Sequence, residues 1–566
     1  MSLRSRAEHQ AWYRLTAHFF VGLFDFGVLS EAGSDAFRRV LIGIIAAMLT
    51  FGLLFARILM SAAGAHEADA LTPAPYRAAL DTLVIGAPML VVAFATLLVS
   101  HSLFPDETDF RVLLALPVSR RLVFLSKLAA LALFAGSFIV ASHAAMLPVS
   151  LMISVSRHAP ESFLARLAAH LLASLAGSTM VVLAVAGING ALLVAVPRAH
   201  LQAASTAVRS ATLCALVLSL PLAARLPATA PLLAAGAPAL YLVPPVWFLG
   251  VEELLLGHGS PYFDRMAGLA AIASVASLVL AVGSYLFLYR RFDRVMIHPA
   301  ATGSRRLGGA FIGPAGGGPV SAISEFTRLT LARSALHQGV FVAVSACGAG
   351  LVMNSFIGAM NLERVRSPEN EIVNTVLAVP FTLIFMMVLA VRAALVLPIE
   401  PRANWVFRMT EDPAARAAQL GAVVGIVVRF GVWWPVVVLL PVQWAVLGPR
   451  VLACAVIAYL AGLVLVELQM SDWLRIPFTC SYMPGKRFVG HTMLIGFAAF
   501  VAFTFFGWAF ALLALKNLTG GVVVMVILGA IAYQRRRHRL WLWRGTSLVF
   551  EDILPTEVDP LRLSAY

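Results

Sequence analysis

Residues 168–196 read AAHLLASLAGSTMVVLAVAGINGALLVAV, a stretch without a single Asp, Glu, Lys or Arg. A helix rises about 1.5 Å per residue, so this stretch is long enough to cross the roughly 30 Å hydrocarbon core of a bilayer. Comparable apolar runs lie at 40–62, 82–104, 123–153, 208–227 and 267–289. They resume at 336–360, 374–398, 418–441, 450–468, 490–515 and 518–534. The expectation is an all-α, polytopic integral membrane protein with about twelve transmembrane helices. A thirteenth apolar segment, 229–250, is broken by Pro231, Pro238, Pro244 and Pro245 and reads as interfacial or re-entrant.

Composition agrees. Of 566 residues, 60% are apolar and 12% charged, and the mean hydropathy is +0.88. Soluble domains carry about 25% charged residues, so a soluble enzyme and a disordered chain are both excluded. A transmembrane barrel would show short alternating segments instead. The net charge of +14 comes from 42 basic and 28 acidic residues. In such a chain it reads as basic cytoplasmic loops rather than nucleic-acid binding. Cys214, Cys347, Cys454 and Cys480 show no CxxC spacing and read as packing residues.

The chain is expected to divide into an amphipathic interfacial segment (1–39), a first six-span half (40–299), a basic Gly-rich cytoplasmic linker (300–324) and a second six-span half with a basic cytoplasmic tail (325–566). With the N-terminus inside, the inner segments hold 30 Lys and Arg and the outer loops nine. That asymmetry places both termini in the cytoplasm. An even number of spans per half makes the repeats parallel. The first forty residues carry no cleavable signal pattern; they alternate arginines with Trp12, Tyr13, Phe19, Phe20, Phe24 and Phe26.

Chemical motifs are scarce. The glycines at Gly313 and Gly316 lack a Gly-Lys-Ser/Thr ending, and Gly485-Lys486 is followed by Arg487, so there is no Walker A loop. HExxH and GxSxG are absent too. No metal site, catalytic group or cofactor is expected in this chain. Among the acidic residues only Glu467 falls within a predicted span, with Asp81 at an outer boundary, which argues against ion coupling. Arg429, near the middle of a span, is a candidate pathway residue, whereas Arg57 and Arg392 can snorkel. His143 reads as a packed or hydrogen-bonded histidine, and Trp433, Trp434 and Trp444 as interface aromatics.

The informative loop follows the second run. After Pro105 come Asp106, Glu107, Thr108 and Asp109, then Phe110, Leu113, Leu114 and Leu116 at roughly helical spacing, then Pro117, Arg120 and Arg121. Leucines exposed at a membrane face invite a partner groove. The second half has Asn404, Trp405, Phe407, Arg408 and Pro413 in the corresponding place.

At this loop the chain resembles the permease subunits of ABC exporters of the ABC-2 membrane family. Residues Leu113-Leu114-Ala115-Leu116-Pro117-Val118-Ser119-Arg120-Arg121, preceded by Asp109 and followed by Lys127-Leu128-Ala129, are similar to that family's cytoplasmic loop. The aromatic N-terminal segment resembles its elbow helix, and Pro244-Pro245-Val246-Trp247-Phe248 is also similar to such permeases. The resemblance implies that 109–121 is a coupling helix contacting a cytoplasmic ABC ATPase subunit. ATP and Mg would then be bound by that partner, with the chain in a bacterial inner (plasma) membrane amid lipid. Alternatives are an ion-coupled secondary transporter and a membrane enzyme acting on lipid-linked substrates. Asp412-Pro413-Ala414-Ala415-Arg416 departs from the pattern in the second half.

Overall fold

Helix punctuation in the chain follows from proline and short polar caps. In the computed structural model Pro244, Pro261, Pro319 and Pro368 each open a helix, where a missing N–H costs nothing. The Ser162 hydroxyl accepts from the Ala165 N–H, and Asn517 Oδ1 from Thr519 and Gly520. The structure describes residues 3–23, 74–100, 103, 118–154, 162–223, 230–296, 318–360, 368–399, 404–409, 411–480 and 489–550. Among these there is no strand.

Two compact units emerge, one of residues 1–208, 222–303 and 556–566, the other of 209–221 and 304–555. The first contains α1 (Leu3–Gly22), α2 (Ala74–Leu98), α3 (Arg120–Ser154) and α4 (Phe163–Ala195). After α5 (Arg198–Ala223) come the short α6 (Ala230–Ala234), a 3₁₀ turn (Pro238–Leu242), α7 (Pro244–Leu255) and α8 (Pro261–Met296). The second unit contains α9 (Pro319–Arg333), α10 (Ala335–Met360), α11 (Pro368–Val396), the six-residue α12 (Asn404–Met409) and α13 (Arg416–Val428). A π turn (Arg429–Trp433) leads into α14 (Trp434–Leu447), and α15 (Val451–Gln469), α16 (Val489–Lys516) and α17 (Leu518–Gly545) complete it.

Among the described residues nine helical stretches are long and apolar enough to cross a membrane. One of them, Arg416–Gln469, runs for 54 residues, about twice what a bilayer needs. It is interrupted at Gly448, whose φ of 68° ends α14 in a conformation that only glycine adopts without strain. The two runs expected at 418–441 and 450–468 both lie in this stretch. The run expected at 208–227 differs: the apolar part of α5 covers only Ala203–Ser219 and includes Arg209. The run at 40–62 lies outside the described residues.

Large apolar side chains cover the surface, with Ile272 67% and Val526 66% exposed. In water such a surface would aggregate; in lipid it is the ordinary exterior of a bundle. The molecule is an all-α, multi-pass membrane protein. Its buried contacts follow membrane rules too. Gly250 on α7 lies so close to Phe263, Met266 and Ala267 of α8 that a Cβ would sit 2.6 Å from the Met266 Cβ. Only glycine permits this approach, and it fixes where α7 lies. In the second unit Phe381, Ile384 and Val388 of α11 pack with Val423 and Val427 of α13 and with Ile457, Ala461 and Leu465 of α15.

Candidate functional site

The broken segment that precedes α8 builds the site. A positive-φ turn at Gly236, resting on the Tyr262 ring, separates α6 from the 3₁₀ turn. Trp247 Nε1 donates to the Tyr241 carbonyl at 2.9 Å and ties that turn to α7. Val246, Phe248 and Leu249 then bury themselves with Ile85 and Met89 of α2, Met180 of α4, and Met266 and Ala270 of α8. This apolar docking carries Glu252, one turn further on, into the same interior.

There Glu252 Oε2 lies 3.0 Å from His170 Nδ1. Asp81 of α2 completes a buried trio, with one ligand-type atom from each residue inside a sphere of mutual distances no greater than 4.8 Å. Asp81 is only 6% exposed, and its Oδ1 has no hydrogen-bond partner among the described residues. Unmade bonds of this kind are costly in a protein interior. On α4, Arg166, His170, Ser174 and Ser178 recur every fourth residue and are all buried, so one polar stripe runs down this membrane-crossing helix. Arg166 brings a positive charge into the neighbourhood of Asp81. At the rim, Glu253 Oε2 holds His258 Nδ1 at 2.9 Å. Burial pushes the Glu253 carboxyl above its ordinary range, and the bond to His258 opposes that.

Two sequence expectations are altered here. Asp81, expected at an outer boundary, lies about two turns inside α2, which begins at Ala74, and about one turn inside the outer end of the crossing stretch Arg77–Leu97. Glu467 is therefore not the sole acidic residue within a crossing-length apolar stretch. Glu467 itself is fully engaged, taking Arg539 Nε at 2.5 Å and Nη2 at 2.8 Å, with the guanidinium 4.2 Å from the Trp543 ring centre. His143 is hydrogen-bonded as expected. Its Nδ1–H donates to the Ile139 carbonyl, which leaves Nε2 to accept from the Ser174 hydroxyl at 3.0 Å.

Of the coupling-loop residues, Asp109, Phe110, Leu113, Leu114, Leu116 and Pro117 lie outside the described residues. Arg120 and Arg121 open α3, and Ser119 Oγ accepts from the Leu122 N–H there. In the second half Asn404 Nδ2 donates to the Thr479 carbonyl and Phe407 packs on Phe326 at 5.3 Å. Arg408 lies over Phe550, and Pro413 is in an exposed turn before α13. Trp405 and Met409, four residues apart on α12, are 61% and 78% exposed. Arg429 begins the π turn and is exposed on its unit's surface. At the end of α17, Tyr533, Arg536, Arg537, Leu540, Trp541 and Arg544 line a shallow cavity of about 390 Å³.

The trio escaped sequence reading because its members are more than eighty residues apart and none belongs to a motif. The usable signals were the four-residue spacing of polar side chains from Arg166 to Ser178 and the acidic pair Glu252-Glu253 just past a proline-broken apolar segment. No protein-family model matches this chain, and no curated protein or solved structure is significantly similar to it.

Proposed function

We propose that the chain is the transmembrane permease component of an ATP-driven exporter in a bacterial inner membrane, its two halves forming the path while a separate cytoplasmic subunit hydrolyses ATP. The observation that carries this reading is the acidic-to-leucine loop 109–121 between two apolar runs, in a chain with no nucleotide-binding motif of its own. The exposed Trp405 and Met409 on α12, in the corresponding loop of the second half, support it as a second contact. The proposed arrangement has twelve spans in two parallel sets, and Arg429 remains a candidate pathway residue. The basic and aromatic end of α17 suits anionic lipid headgroups at the cytoplasmic face.

The purified chain in liposomes is expected to hydrolyse no ATP above empty liposomes, and the activity is expected to appear only when the ATPase that co-purifies from native membranes is restored. Hydrolysis by the chain alone would overturn the reading. The orientation has its own test. Cysteines placed at Ser2 and Ser304 should resist an impermeant thiol reagent in intact cells and react after permeabilisation. Labelling from outside at either position rejects the arrangement.

A second reading, ion-coupled transport, is favoured by the buried Asp81, His170 and Glu252. Carboxylates at membrane depth are the usual ion sites of such carriers. Transport that persists in ATP-depleted vesicles under an imposed ion gradient would select it.

A further inference from the structure

We propose that Asp81, His170 and Glu252 bind one divalent transition-metal ion, with zinc the best fit. Two carboxylates and an imidazole are a donor set that zinc accepts, and a three-residue site leaves a fourth position for water or another ligand. Calcium and magnesium require six or more ligands, mainly oxygen, and three side chains with a nitrogen among them serve those ions poorly. Tetrahedral zinc with bonds of 2.0–2.2 Å places its ligand atoms about 3.4 Å apart. The three atoms here lie within 4.8 Å of one another, with His170 and Glu252 already at 3.0 Å, so small side-chain rotations close the set.

The second observation is Asp81 itself. It is nearly fully buried among the other two, and its Oδ1 has no partner among the described residues. Asp81 and Glu252 repel each other in one buried pocket, a repulsion that His170, bonded to Glu252, and Arg166 offset only in part. A divalent ion satisfies the orphaned oxygen and removes the repulsion together. The three residues belong to α2, α4 and α7, so a bound ion also pins the broken segment before α8 to two crossing helices. Asp81 and His170 each lie seven residues inside their helices, about 10 Å from the ends at the usual rise. In the proposed orientation those ends face outward, and the ion enters from outside the cell.

The test uses the full-length chain in detergent, stripped with chelator and titrated with zinc chloride, with bound metal also counted after desalting. Wild type is expected to retain one zinc per chain. Asp81→Asn and Glu252→Gln should each weaken binding by more than the roughly 10–100-fold that loss of an outer partner of a ligand costs. His258→Gln should leave binding unchanged. Loss of binding by misfolding is separated from loss of a ligand by His170→Cys loaded with cobalt. That variant should gain a thiolate-to-cobalt charge-transfer band that cobalt-loaded wild type lacks, and a collapsed site cannot produce it. Wild type that holds no stoichiometric zinc, Asp81→Asn or Glu252→Gln binding with unchanged affinity, or His170→Cys without the band would each overturn the proposal. The readout needs no ATPase, so it stands or falls apart from the exporter reading.

Discussion

Glu467→Ala should destabilise the second unit by about 3–5 kcal/mol, because it leaves the Arg539 guanidinium buried without a counter-charge. The side chains of Arg539 and Glu467 are 4% and 9% exposed, and the pair joins α17 to α15. Its two hydrogen bonds are bidentate, which is the strong geometry for a guanidinium and a carboxylate. Trp543 covers one face of the guanidinium and is itself fully buried. Arg539→Ala should cost a similar amount by stranding the carboxylate. The double replacement Glu467→Leu with Arg539→Met should recover most of the loss, since a buried pair exchanged for apolar side chains is often neutral. The measurement is the thermal midpoint of detergent-solubilised protein for the two singles and the double, read as a cycle. If Glu467→Ala keeps the wild-type midpoint, the pair is not structural and Glu467 becomes available for ion chemistry. The exposed pair Glu325–Arg328, one turn apart on α9, offers the contrast: solvent screens it, and breaking it should change little.

How far the sequence reveals this molecule depends on which solvent imposes the constraint. A bilayer requires every backbone polar group to be satisfied within a helix, so the crossing stretches announce themselves by length and hydropathy alone. The prolines of 229–250 likewise mark a segment that cannot be one straight helix. The sequence does not show where that segment goes. Its position is set by contacts such as Gly250 against α8 and Phe248 among Ile85, Met89 and Met180, which join residues far apart in the chain. Inside the straight hydropathy runs the acids number one, Glu467. That count misses Asp81, because α2 starts eight residues before the apolar run at 82–104. It misses Glu252 because α7 begins in the broken segment and carries Glu252 just past its end, outside every run. Sites built from helix beginnings and interrupted helices are the ones a window average conceals.

Replacing Leu113 and Leu114 together by Asp is expected to abolish co-purification of an ATPase partner while leaving membrane insertion intact, since neither residue belongs to an apolar run. Burying a leucine contributes about 1.5–3 kcal/mol, so two of them account for about two to four orders of magnitude in affinity. Placing two carboxylates in an apolar groove adds a desolvation cost on top. Arg120→Glu should weaken the complex far less, because a charge at the rim of an interface contributes under about 1 kcal/mol. The second half is best probed at Trp405 and Met409. Both are largely exposed, so changing them to Asp leaves the unit's packing alone, whereas Phe407 is engaged with Phe326 and its loss would confuse binding with stability. Pull-down yield from equal amounts of inserted protein distinguishes the outcomes. Loss in both halves means that each docks an ATPase copy. Loss only at Leu113 and Leu114 means docking on one side; the expectation is loss in both halves but a smaller one in the second, given Asp412-Pro413 where the first loop has leucine and proline. Wild-type yield from the Leu113/Leu114 variant would show that the loop is not a coupling element, and the exporter reading would lose the observation on which it rests.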